Sequence, residues 1–265
     1  MTETKDAVIA RIPAILAADE RIRAGWLVGS LGTGRADRHS DIDLHCLITD
    51  GSAGWFAENW PAVAAELAGP LVLTQDIPGT IGGLAITPDW LHLDLILHPE
   101  GEYDPRSVPG LRPLYDRTGT VLPPNPTPKE FFGEPYFPQR DMELFLYFIG
   151  NLPVLFGRDE IVLAHNSVTG FRQILVDLML AERGIRDRGG AKRLNPFLTA
   201  EQRDTLESLP TAPMERDQIL AAISAITTEI RRRGRLLAEL TGSVWPEALE
   251  RAALDSVHRQ LGVDF

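Results

Sequence analysis

The sequence predicts two halves of different architecture: an α/β (α+β) N-terminal domain with a mixed sheet, and a C-terminal all-α helical bundle. Strand-like runs, short and apolar or alternating, occur between helical patterns in residues 26–97, whereas residues 140–265 show helical spacing only. Six prolines lie within residues 121–139 and disfavour both helix and sheet there. A chain of 265 residues is long enough for two domains. We therefore expect a first domain over residues 1–122, a proline-rich linker over 123–139 and a helical domain over 140–265.

The elements of the first half follow from periodicity and from turn residues. Apolar residues at helical spacing predict an N-terminal helix, and Gly25 separates this helix from a short strand. A glycine-rich turn then leads into a strand in which apolar and polar residues alternate. The predicted helices are 5–22 and 55–67, and the predicted strands are 26–28, 42–48, 71–73, 84–86 and 91–97.

The elements of the second half are all predicted to be helices. The proline-rich segment before them predicts an extended crossing between the two domains. A basic run on the longest of these helices, Arg231, Arg232, Arg233 and Arg235, predicts a solvated face. The predicted helices are 141–156, 167–182, 199–209 and 216–240, with a last helix after Pro246.

The composition excludes several classes of protein. No stretch approaches the roughly 20 apolar residues of a membrane span, and the N-terminus lacks a signal-peptide pattern, so we expect a cytoplasmic protein. The single cysteine, Cys46, lies in an apolar run that predicts a buried, inert thiol, which excludes disulfides within the chain. A formal net charge of −11 disfavours general binding to nucleic acid, because such binding depends on Lys and Arg.

The most informative stretch is residues 29–44. Gly29 and Ser30 follow a predicted strand, where a glycine allows the backbone to approach a phosphate and a serine hydroxyl can donate to phosphate oxygens. After a spacer, Asp41 and Asp43 alternate with apolar residues on the next predicted strand. Because side chains alternate between the two faces of a strand, both carboxylates are expected to point the same way.

A third acid, Asp94, lies between apolar residues on a later predicted strand and can join Asp41 and Asp43 in one patch. Carboxylates in an otherwise buried sheet repel one another unless cations neutralise them. Magnesium prefers oxygen ligands and commonly binds through carboxylates together with substrate phosphates. The joint pattern therefore predicts a site for magnesium and a nucleoside triphosphate.

At these residues the sequence resembles the nucleotidyltransferase superfamily that includes DNA polymerase beta, whose signature is Gly-Ser, a spacer, Asp-x-Asp and a third acid on a later strand. It is most similar to the antibiotic-modifying branch, the aminoglycoside and lincosamide nucleotidyltransferases, which join such a domain to a helical bundle. The resemblance covers the architecture of the whole chain. It implies an adenylyltransferase that moves AMP from ATP to a hydroxyl of a small molecule, such as an aminoglycoside or lincosamide antibiotic, and releases pyrophosphate.

The resemblance also assigns roles to the motif residues. Gly29 and Ser30 would hold the triphosphate, Asp41 and Asp43 would ligate two Mg²⁺ ions, and Asp94 would ligate the ion nearer the acceptor hydroxyl. The in-line attack of that hydroxyl on the α-phosphorus would be the chemical step. The acceptor is expected between the two domains, since ligand sites favour such clefts.

Further candidates lie outside the motif. Lys192 and Arg193 follow two glycines and can reach the leaving pyrophosphate, or they belong to a solvated loop. Glu143, early in the first helix after the linker, is the expected general base, with Glu134 and Asp141 as alternatives. The expected nucleotide-binding residues are thus Gly29, Ser30, Ser40, Lys192 and Arg193.

Three histidines share the faces of the acids. His45 lies two positions after Asp43, while His92 and His98 flank Asp94 at even spacing. They are expected either near the metal and the acceptor or in hydrogen-bonded structural positions at strand ends, because magnesium does not favour imidazole.

Other functions stay open on the sequence alone. One is an antitoxin-like or regulatory protein that uses the same fold to bind or modify a protein partner. Another follows from Arg158 and His165, whose spacing resembles the Arg-x(4 to 6)-His motif of helical RNases of the HEPN type. A third keeps the transfer reaction and replaces the small molecule with a protein side chain or an RNA end.

Overall fold

The structure is a computed structural model that describes residues 4–119, 121–123, 127–190 and 192–265. It divides into two compact units, Met1–Lys129 and Glu130–Phe265. The division falls inside the segment 123–139, of which Pro124 and Pro126 lie outside the described residues. The expected domain bounds themselves stay a prediction.

The first unit is built on a mixed sheet, as the sequence predicts. Its six strands follow the order β3-β4-β5-β2-β1-β6, with β2 and β5 parallel and the four other neighbouring pairs antiparallel. The elements of this unit are α1 (Lys5–Ala18), β1 (Ile22–Leu27), α2 (Gly29–Gly32), β2 (Ile42–Ile48), α3 (Ala53–Ala68), β3 (Leu73–Asp76), β4 (Ile81–Ile86), β5 (His92–Pro99) and β6 (Arg112–Asp116).

One face of the sheet forms the main core of this unit, together with α1 and α3. Buried Ile42 and Leu44 of β2 and Leu93 and Leu95 of β5 point to this face. Because neighbouring residues on a strand point to opposite faces, the acids between them point to the other face. Cys46 lies in the same core, where burial raises the pKa of its thiol, and this confirms the expected inert cysteine.

Helix α1 ends at Ala18 rather than at residue 22, so the sequence-based boundary was wrong. The Arg117 guanidinium, from just beyond β6, donates to the backbone oxygens of Ala17, Asp19 and Ile22. This distant side chain satisfies carbonyls that a longer helix would have used. Strand β1 consequently begins at Ile22, four residues before the predicted start.

Both edge strands differ from the sequence-based expectation. Strand β3 consists of exposed residues and shares only Leu73 with the apolar run 71–73 that was expected to form it. Strand β6 was missed because Pro113 argues against a strand. A proline is tolerated there because β6 pairs on one side only, with β1, and so its missing N–H interrupts no second ladder.

The second unit is helical, and its predicted helices are confirmed with ends that shift by at most two residues, except that the helix predicted from residue 167 begins at Ile161. Its core is formed by buried apolar side chains of several helices, among them Phe145, Leu175 and Ile223. The helices are α4 (Gln139–Gly157), α5 (Ile161–Ala181), α6 (Ala200–Ser208), α7 (Arg216–Leu240) and α8 (Glu247–Leu261). Within the described ranges, none of the helices combines the length and the apolar character required to cross a membrane.

The basic run on α7 is not a uniformly solvated face, which corrects the expectation from the sequence. Arg233 is only 5% exposed. Its guanidinium donates to Glu182 at 2.9 Å, to Glu229 at 2.6 Å and to Glu201. Helical spacing places Arg233 on the buried stripe of α7, so its charge requires these carboxylate partners.

Candidate active site

The motif lies where the ends of three neighbouring strands, β1, β2 and β5, meet at one end of the sheet. The parallel strands β2 and β5 both begin there, whereas the antiparallel β1 ends there. Asp43 and Asp94 are directly opposite each other in the β2/β5 register. The Val28 N–H, at the end of β1, donates to the Asp43 carbonyl oxygen at 3.0 Å. The fold thus brings Gly29 and two of the predicted acids together.

Gly29 is required by the position of the Asp43 carboxylate. Its φ is +59°, in the left-handed region that favours glycine. A Cβ at Gly29 would lie 2.2 Å from Asp43 Oδ2 and 3.0 Å from Asp43 Cγ. The first residue of the motif therefore has a steric reason to lack a side chain, and this links the glycine directly to the first strand acid.

The glycine-rich turn is partly helical. Residues Gly29–Gly32 form the single turn α2, with Ser30 half-buried in it. The Thr33 hydroxyl donates to the Gly29 carbonyl oxygen at 2.8 Å. A Cβ at Gly32 would lie 2.4 Å from the Gly110 carbonyl oxygen, so this glycine permits a close contact between two backbone segments. Gly32 therefore allows the turn to pack against the backbone at Gly110.

Asp41 lies just before β2 and next to His92 of β5. His92 Nδ1 is 3.8 Å from Asp41 Oδ1, and the two side chains are 21% and 22% exposed. The preceding Ser40 stabilises the spacer, because its hydroxyl accepts the Asp37 N–H at 2.9 Å. Its carbonyl oxygen accepts from Lys5 Nζ at 3.1 Å. The predicted contact of Ser40 with the nucleotide stays a prediction.

The three acids offer a donor set that suits a hard divalent cation. Asp41, Asp43 and Asp94 supply carboxylate oxygens only, and Oδ1 of Asp94 is almost wholly excluded from solvent. In the part of the chain that the structure describes, no group of three or more His, Cys, Asp or Glu side chains has the spacing of a metal site. The fit to magnesium therefore rests on the chemistry of the donors and on the shared face of Asp43 and Asp94.

His45 and His98 form a hydrogen-bonded pair farther along the same face. His98 Nε2 and His45 Nδ1 are 2.9 Å apart, and the His98 ring stacks on Tyr103 with centroids 3.7 Å apart. Burial and, to a smaller extent, the neighbouring His98 lower the pKa of His45 to about 4. Burial also lowers the pKa of His98 to about 4. These contacts match the expectation that His45 and His98 occupy hydrogen-bonded structural positions. His92, in contrast, lies beside the carboxylate of Asp41.

The remaining candidates belong to the second unit. Glu143 is exposed on the second turn of α4 and accepts a hydrogen bond from Gln139 Nε2. Lys192 and Arg193 lie on the loop between α5 and α6, and the Arg193 carbonyl oxygen accepts from Arg188. Their expected roles as general base and as phosphate ligands stay predictions.

The motif of helical RNases has a structural explanation. His165 Nε2 is 2.9 Å from the Ala212 carbonyl oxygen, so this ring contacts the segment before α7. Arg158 follows the last turn of α4, where its N–H bonds helix carbonyls. His165 thus has a structural contact in the helical unit, and the RNA-cleaving alternative stays a prediction.

Trp90 is a residue of this region that the sequence analysis missed. It lies in the turn between β4 and β5, and it combines a φ of +68° with 71% exposure. The available signal was the pair Pro88-Asp89, a turn sequence followed by a bulky aromatic residue.

Comparisons with known proteins find likenesses among solved structures alone. No protein-family model and no curated protein matches the chain. The structure is similar to that of an aminoglycoside 6-adenyltransferase from Bacillus subtilis, with a TM-score of 0.42 and 17% identity over 94% of this chain and 95% of that chain. By its name that protein falls in the antibiotic-modifying branch that the motif resembles. The likeness is too distant to carry an argument about fold or activity.

Proposed function

We propose that this chain is a magnesium-dependent nucleotidyltransferase that transfers a nucleoside monophosphate, AMP from ATP, to a hydroxyl of a small molecule and releases pyrophosphate. The acceptor class that we propose is an aminoglycoside or lincosamide antibiotic. One observation carries the proposal: Asp43 and Asp94 face each other across β2 and β5, while Gly29 packs directly against the Asp43 carboxylate.

This arrangement supports phosphoryl chemistry because it combines hydrogen-bond donors for phosphate with carboxylates for metal ions at one end of the sheet. The Ser30 hydroxyl and the backbone N–H groups of the turn can donate to phosphate oxygens. The carboxylates of Asp41, Asp43 and Asp94 would hold two magnesium ions, which when bound would neutralise phosphate charge and acidify the acceptor hydroxyl. Neither group alone would distinguish the site from an ordinary loop or an ordinary acidic patch.

The reaction requires the chain to orient two substrates and to accept one proton. The acceptor oxygen forms a bond to the α-phosphorus while the bond from that phosphorus to the pyrophosphate oxygen breaks. The proton of the hydroxyl goes to a carboxylate, for which Asp94 and Glu143 are the candidates. Such general-base assistance typically contributes about 100- to 10,000-fold to the rate.

A labelling experiment tests the proposal. The full chain is incubated with magnesium, ATP labelled at the α-phosphorus, and separate panels of aminoglycosides, lincosamides and lysate proteins. Label on a small molecule, with unlabelled pyrophosphate released, is the expected result, and Asp43→Asn is the inactive control. Label on a protein would instead favour the regulatory alternative. No transfer in any panel, with ATP bound, would contradict the proposal.

A further inference from the structure

Trp90 occupies a backbone position that a bulky side chain normally avoids. The Trp90 N–H donates to the Thr87 carbonyl oxygen at 2.9 Å and closes the turn between β4 and β5. The Leu91 N–H donates to the Thr87 hydroxyl at 3.0 Å, which fixes the chain on the other side. These bonds hold Trp90 at a φ of +68°, where glycine or asparagine would be less strained.

Folding does not explain the tryptophan at this position. The side chain is 71% exposed, so its apolar area stays in water. Its ring contact is an edge-on one with the His92 ring, whose centroid is 6.1 Å away. A residue that is both strained and exposed is better explained by a ligand than by packing.

The position of Trp90 assigns it to one of the two substrates. In the sheet order, the β4/β5 turn lies on one side of Asp94 and Asp43, and Gly29 at the end of β1 lies on the other. His92, which contacts Trp90, is also 3.8 Å from Asp41. If the triphosphate binds at the glycine, the tryptophan lies on the side left for the acceptor.

We propose that Trp90 binds the acceptor, by stacking on a saturated ring that carries a protonated amine. The face of an aromatic ring attracts a cation, and a saturated ring can stack on the same face. This inference rests on the proposed function, because it takes the acceptor to be a second substrate beside ATP. It makes Trp90 a specificity-determining residue and leaves the chemical step to other groups.

Calorimetric titration of the full chain with kanamycin and lincomycin tests this role. We expect at least one of them to bind, and Trp90→Gly to weaken that binding by about 2- to 30-fold, the range for a cation over an aromatic ring. Trp90→Asn should weaken binding to a similar extent, since glycine and asparagine both tolerate the left-handed backbone conformation. Trp90→Phe should retain most of the affinity. ATP affinity and Tm should not fall in any of these variants.

Two controls make the test specific. Trp55→Ala removes a 43% exposed tryptophan from α3 and should leave binding unchanged. Trehalose, a ring compound without an amine, should not bind. The inference is overturned if neither amine binds, or if Trp90→Gly and Trp90→Asn both bind as the wild type does. Binding that depends on Trp90 without any AMP transfer would instead contradict the proposed reaction and leave this inference standing.

Discussion

Gly29→Ala isolates the contact between the glycine and the Asp43 carboxylate. The added Cβ would lie 2.2 Å from Asp43 Oδ2, whereas ordinary contacts begin at 3.4 Å. The carboxylate must therefore move by about 1 Å, a misplacement that can lower turnover by about 100-fold. An alanine in the left-handed region also costs about 1–2 kcal/mol of stability.

Gly34→Ala is the matched control for this substitution. Gly34 has a φ of +70°, and no described atom lies within 4 Å of a Cβ built there. It should lose a similar free energy of unfolding without displacing any acid. The two variants therefore share the backbone effect and differ in the contact with Asp43.

The assay compares urea unfolding with AMP transfer for both variants. We expect similar losses of about 1–2 kcal/mol in unfolding free energy, but a roughly 100-fold loss of turnover for Gly29→Ala alone. Equal turnover in the two variants would refute the link between Gly29 and the acid. A large loss in both would show that the whole turn, rather than one contact, sets the activity.

Four other substitutions test separate parts of the structure. Asp43→Asn and Asp94→Asn should each abolish transfer without lowering Tm, because each relieves repulsion between acids; near wild-type turnover in either would contradict the assignment. Ser30→Ala should weaken ATP binding in calorimetry by about 0.5 to 3 kcal/mol, and an equal loss of acceptor affinity would point to misfolding instead. Burial raises the pKa of Asp116, but four backbone N–H donors lower it overall below 3.8. Its stabilisation should therefore be complete above that pH and decline as the pH falls below it, and urea unfolding of Asp116→Asn in acid should show a flatter pH dependence.

The elements that the sequence predicted well are those whose signal is local. The alternating run from Ile42 to Ile48 forms β2 with the predicted bounds, and α7 likewise spans Arg216–Leu240. In both cases burial repeats with the period of the element, so a short window of sequence contains the information. The grouping of Asp43 with Asp94 was also predictable, because apolar residues flank each acid on a strand.

The elements that were missed depend on distant parts of the chain. The end of α1 is set by Arg117, which lies about a hundred residues away in sequence and bonds its last carbonyls. Strand β6 contains Pro113 and exists because β1 offers a free edge. Trp90 gave no signal in periodicity, since its importance lies in a single dihedral angle and in its exposure.

Because β2 and β5 are paired neighbours in the sheet, the distance between Asp43 and Asp94 does not depend on how many residues connect the two strands. Everything from the end of β2 to the start of β5, including α3, β3 and β4, forms a crossover whose two ends are fixed by the sheet register. Segments within that crossover can lengthen, shorten or diverge without changing which residue faces Asp43. Evolution can therefore remodel the β4/β5 turn, and with it the acceptor contact that we propose for Trp90, while Asp43 and Asp94 stay in register.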